Sequence, residues 1–86
     1  MKLNRNFINY NAGKESLLVP TGEADFSGIV KGNKTLGAIL SLLEKDMSEQ
    51  ELLSALQARF DAPAEVIAGD VRHALTELRK IGALDE

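Results

Sequence analysis

The stretch Phe26-Ser27-Gly28-Ile29-Val30-Lys31-Gly32-Asn33-Lys34-Thr35-Leu36-Gly37-Ala38-Ile39-Leu40-Ser41-Leu42-Leu43 is where the chain changes its period. Before Gly32 the pattern is that of a short strand, Phe26 to Lys31, with Gly28 inside it as a mark of a bulge or a close backbone approach. After Gly32 it is helical. Asn33 can accept from a free N–H of the opening turn. Leu36, Ile39, Leu40 and Leu43 then recur at three- and four-residue spacing. Everything N-terminal to this junction reads as strands and turns, and everything C-terminal to it as helices.

Upstream, Ile8, Tyr10 and Ala12 alternate with Asn9 and Asn11, which predicts a strand with Ile8 and Tyr10 on the buried face. Asn11-Ala12-Gly13-Lys14 supplies turn chemistry. Ser16-Leu17-Leu18-Val19 reads as the returning strand of a hairpin, ended by Pro20. Downstream, Ser48-Glu49-Gln50-Glu51 fits a capping box, and Leu52, Leu53, Leu56 and Phe60 form the stripe of a second helix. After Asp61-Ala62-Pro63, Ile67, Val71, Ala74, Leu75, Leu78 and Ile81 predict a third helix from about Ala64 to Ile81. Arg79 and Lys80 fall in its last turn and Gly82 at its C′ position. Gly69 interrupts that helix, and its small size suggests room for a close neighbour. Three strands followed by three helices is an α+β order in a single domain spanning 1–86, with the helices packed on one face of the sheet.

Composition narrows the function. The chain has 86 residues, no cysteine and one histidine, with a net charge of −3. Thiolate zinc sites, disulfides and histidine metal clusters are therefore excluded. No nucleophile elbow or phosphate loop is present, so no catalytic residue, metal or cofactor is expected. The start of the chain lacks an apolar targeting core, and Thr35 to Leu43 is far too short to span a bilayer, so the expected location is cytoplasmic, without a membrane partner. The second and third helices could form a helix-turn-helix. Residues 35–86, however, carry five basic against ten acidic side chains. That field suits phosphate poorly, so a winged-helix DNA-binding regulator is only an alternative, and nucleic acid is not the expected partner.

The order of residues resembles the PqqD family, the coenzyme PQQ synthesis protein D group. Phe7-Ile8, Leu18-Val19-Pro20, Phe26 to Val30, Asn33-Lys34-Thr35, Ile39 to Leu43, Glu51-Leu52-Leu53, Phe60-Asp61, Asp70-Val71 and Gly82-Ala83-Leu84 carry the likeness. Two positions depart from it: Gly32 stands where an apolar residue is usual, and Leu36 where a small one is common. The resemblance implies a small winged-helix-like domain of three strands and three helices. It implies a RiPP recognition element, a non-catalytic adaptor that captures the leader segment of a ribosomally made precursor peptide. Such an adaptor presents the leader to a modifying enzyme, often a radical SAM enzyme, in PQQ biosynthesis or another peptide pathway.

The resemblance further implies that the leader adds as a strand along the third strand, in the groove between that strand and the third helix. An edge strand exposes N–H and C=O groups that an extended peptide can satisfy. The expected peptide-binding residues are Ser27, Gly28, Ile29, Val30 and Lys31 on the strand, and Val66, Asp70, His73, Ala74 and Glu77 on the helix. Val66 and Ala74 would give apolar floor; Asp70, His73 and Glu77 would set polar preferences. Each also has a plainer reading. Gly28 and Gly32 can be turn residues, Asp70 a backbone acceptor, His73 a solvated helix residue, Glu77 a surface charge near Lys80, and Val66 part of the core. The same strand edge could instead pair two copies, so a monomer or weak homodimer is expected, and a dimerisation or scaffold module is a further alternative.

Overall fold

A computed structural model describes residues 1–12, 15–24 and 28–86, with the side chain of Ala12 left aside. The hairpin is present. Strand β2 (Phe7–Ala12) pairs antiparallel with β3 (Glu15–Pro20), from Phe7↔Pro20 to Ala12↔Glu15. The turn residues Gly13 and Lys14 lie outside the described residues. Strand β4 (Val30–Gly32) pairs antiparallel with β3 through Ser16↔Gly32, Leu17↔Lys31 and Leu18↔Val30, giving the sheet order β2-β3-β4.

Two sequence expectations need correction. The alternation in β2 is real, but its phase is inverted: Ile8 and Tyr10 are 52% and 58% exposed, while Phe7 is buried. Directly opposed residues in a ladder share a face. Leu18 is fully buried, and its partner is Asn9, so Asn9 turns inward with it and Ile8 and Tyr10 turn outward. Asn9 meets the helical layer through its amide, which donates to Ser41 Oγ at 3.2 Å. Of the third strand expected from Phe26 to Lys31, Phe26 and Ser27 lie outside the described residues, and Gly28 and Ile29 are not in the strand. Gly28 holds φ at 122°, a conformation closed to ordinary strand residues, and pairing starts at Val30.

The three helices form where caps and periodicity predict. Helix α1 (Lys34–Leu42) opens with Asn33 accepting from the Leu36 N–H at 3.1 Å. Helix α2 (Glu49–Arg59) carries the complete capping box: Ser48 Oγ accepts from the Glu51 N–H, and Glu51 Oε1 accepts from the Ser48 N–H. Helix α3 (Ala64–Lys80) ends at Gly82, whose φ is +74°. The Ala83 N–H reaches Leu78 O and the Gly82 N–H reaches Arg79 O, the paired bonds of a Schellman ending. Gly69 meets nothing: a Cβ there would have no atom within 4 Å, contrary to the expectation of a close neighbour.

The core lies between the inner sheet face and the helices. Leu18, Ile39, Leu40, Leu43, Leu52, Leu56, Val71, Leu75 and Leu78 are essentially sealed from solvent. Helix α1 approaches β3 closely because Gly37 has no side chain. A Cβ at that position would fall on Ser16 Oγ and lie 3.1 Å from Ser16 Cβ. A second, two-stranded ladder that periodicity did not predict closes the far side. There β1 (Lys2–Leu3) pairs antiparallel with β5 (Leu84–Asp85). Its backbone is stitched to the helical layer by Leu3 N–H to Leu43 O and Asn4 N–H to Ala83 O. Among the described residues no helix is long and apolar enough to cross a membrane.

Candidate functional site

Strand β4 has β3 on one side and, among the described residues, no strand on the other. A ladder edge left this way presents backbone donors and acceptors without partners. Beside that edge runs a groove of about 330 Å³, walled by β4, the first turn of α1 and one face of α3.

The α3 wall follows from helical spacing. Asp70, His73, Ala74, Glu77, Leu78 and Ile81 recur at three- and four-residue steps and so share one stripe. The stripe is graded. Leu78 is buried in the core, Ala74 and Ile81 are half-buried, and Asp70, His73 and Glu77 are exposed along the rim. Glu77 meets Lys80 Nζ at 3.4 Å, a long i,i+3 pair in solvent. The floor is apolar: Leu36, Ala74 and Ile81 are half-buried along it, with the sealed Ile39 and Leu78 beneath. Val30 faces inward with its partner Leu18, and Lys31 belongs to the outer row with Leu17 and Tyr10.

The junction between β4 and α1 has a particular geometry. A Cβ built on Gly32 would collide with the Leu36 side chain, 2.7 Å from its Cβ and 2.9 Å from its Cγ. Leu36 therefore occupies the space that a side chain at 32 would otherwise take.

Of the sequence-predicted residues, Val30, Lys31, Asp70, His73, Ala74 and Glu77 line this one groove. Gly28 and Ile29 precede the strand, and Ile29 is 59% exposed. Ser27 lies outside the described residues. Val66 sits one turn before Asp70 and is 52% exposed, so it belongs neither to the core nor to the groove lining. Sequence reasoning missed Asn33, Thr35, Leu36, Ile39, Leu78 and Ile81 as lining. The one available signal was the pair of departures at 32 and 36, a small residue for a large one and the reverse, four positions apart.

A second hollow of about 290 Å³ lies on the other side of α1, lined by Asn11, Ser16, Lys34, Gly37, Ala38, Ser41, Arg59 and Phe60. Only Ala38 and Phe60 give it apolar side-chain surface, so it lacks the floor that the β4 groove has.

Comparison with known proteins agrees with this architecture. Residues 16–84 match the family model described as PqqD, Coenzyme PQQ synthesis protein D. No curated protein matches the sequence significantly. Among solved structures, the chain is similar to one described as TbiB1 in complex with the TbiA(beta) leader peptide. The TM-score is 0.78 at 20% identity, covering 99% of this chain and 95% of that one. At that identity the likeness establishes the shared fold, three strands followed by three helices.

Proposed function

This chain belongs to the PqqD family, and from that premise we propose that it is a peptide-binding adaptor that takes the leader of a ribosomally made precursor as an added strand on β4. The reading rests chiefly on one observation: the outer edge of β4, to which no strand is paired among the described residues, lies beside an apolar-floored groove. Backbone hydrogen bonds to the edge supply affinity with little demand on sequence, and the alternate side chains that point inward are read by the groove. The three residues of β4 span about 10 Å of ladder, enough to hold roughly three residues of a peptide in register. That TbiB1, which shares the fold, is described with a leader peptide supports the same class of ligand.

In this reading Val30 and Lys31 offer the backbone edge. Ala74 contributes floor, and Asp70, His73 and Glu77 line the rim as the polar selectors. The domain is non-catalytic and carries no cofactor. It works in the cytoplasm, where precursor peptides emerge from ribosomes, and hands its cargo to a peptide-modifying enzyme such as a radical SAM enzyme.

The test is amide shift mapping of the labelled protein, titrated with the leader of a precursor peptide encoded beside it. Amides of Val30 to Gly32 and of Asp70 to Ile81 shift together if the leader adds to β4. Saturating leader that leaves the β4 amides in place refutes the reading. Sedimentation with and without leader separates it from self-pairing through the same edge.

A further inference from the structure

We propose that Leu36, a residue of α1, selects the side chain of the bound strand that lies opposite Gly32. The inference rests on strand addition at β4 and goes beyond it, because the α3 rim is where that mode would otherwise place selection. Gly32 ends β4 and faces inward with its partner Ser16, the buried row of the sheet. In an ordinary edge strand the side chain at such a position would be the first thing an incoming neighbour touches. Here that side chain is missing, and Leu36 stands in its volume, with Cβ and Cγ within 3 Å of where a residue-32 Cβ would be.

Directly opposed residues in an antiparallel pair bring their Cβ atoms to about 4.5–5.5 Å. The bound residue facing Gly32 therefore comes to rest against the branch of Leu36, with the half-buried Ile81 in the same floor. At the junction the Asn33 Oδ1 already accepts from the Leu36 N–H at 3.1 Å. A charged or amide side chain pressed against the Leu36 branch and Ile81 would give up water for apolar neighbours. Because Leu36 already fills the volume, the position suits a branched aliphatic residue and rejects a bulky aromatic one. Truncating Leu36 to alanine opens that volume and moves the preference up in size.

The experiment is a selection from a displayed library of random dodecapeptides on the full 86-residue chain, wild type against Leu36→Ala. The wild-type pool is expected to converge on Val, Ile or Leu at one motif position. A nitroxide placed beside that position in a resynthesised peptide should broaden the amides of Gly32 and Leu36. The Leu36→Ala pool should keep the rest of the motif and gain at least tenfold in Phe, Tyr or Trp relative to Val at that position. Leu36→Val, checked by amide dispersion, should give a smaller shift in the same direction, and it carries the test if Leu36→Ala does not fold. An unchanged size preference in the variants, or a polar residue selected opposite Gly32 by the wild type, overturns the role of Leu36 and leaves strand addition standing. A wild-type chain that captures no peptide, or captures peptides that broaden residues away from β4, overturns strand addition and the role of Leu36 with it.

Discussion

Replacing either of two glycines by alanine should change stability in opposite directions, although neither new methyl group would touch anything. At both Gly69 and Gly82 a Cβ has no heavy atom within 4 Å, so packing contributes nothing at either position. They differ in backbone. Gly69 lies inside α3 with ordinary helical geometry, and Gly82 holds φ at +74° to end the same helix. In a helix interior glycine is about 0.8–1.0 kcal/mol less favourable than alanine, so Gly69→Ala should stabilise the domain by close to that amount. For a domain of this size about 1 kcal/mol raises Tm by roughly 4–8 °C. At Gly82 the left-handed conformation costs an L-residue roughly 1–2 kcal/mol. Stiffening the unfolded chain returns only about 0.4–1 kcal/mol. Gly82→Ala should therefore destabilise by roughly 1 kcal/mol and lower Tm by a comparable interval. Thermal and urea unfolding followed by circular dichroism read both. Shifts of the same sign in the two variants would refute the argument, as would a Gly69→Ala protein no more stable than the wild type.

Four further outcomes can be checked. Ser48→Ala removes the cap bond to the Glu51 N–H and should cost about 1 kcal/mol in urea unfolding. Gly37→Ala forces a methyl group onto Ser16 Oγ, and the overpacking should cost about 1–3 kcal/mol, partly recovered by adding Ser16→Gly. Arg79 hydrogen-bonds the Glu86 carboxylate at 2.7 and 3.0 Å and holds its pKa below the ordinary 4.5. A depressed carboxylate stabilises the fold above its unfolded pKa and loses that contribution as pH falls through the folded one. A carboxyl titration by NMR should therefore place Glu86 below 4.5, and Arg79→Gln should return it there. Asp70→Lys reverses a charge on the groove rim, so the affinity of a bound peptide carrying a basic residue should fall about two- to fivefold, the scale of an exposed pair, with Tm little changed.

What the sequence made legible follows from which signals are local. Helix starts were readable because Asn33, Ser48 and Glu51 act on backbone groups within three residues. The α3 stripe was readable because period 3.6 puts Asp70, His73, Ala74 and Glu77 on one side regardless of what they meet. The phase of β2 was not readable. Asn9 faces inward because its partner across the ladder is the sealed Leu18, and partner identity is not a local property. Ladders as short as Lys2–Leu3 with Leu84–Asp85 leave no periodicity at all. Ile39 and Leu78 are core, as their periodicity predicts, whereas Leu36 and Ile81 carry the same apolar spacing and stand half-buried at the groove.

The β1–β5 ladder brings Lys2 directly opposite Asp85, so these two positions stand one strand-spacing apart. Joining them by a few glycines and opening a new start at Ala62, in the exposed connection between α2 and α3, should give a permuted molecule that keeps the β4 groove. By the same geometry the whole unit can be spliced as an insert into a surface loop of a larger enzyme. Recognition and modification would then travel in a single polypeptide, at the cost to the host of accommodating a gap only about 5 Å wide.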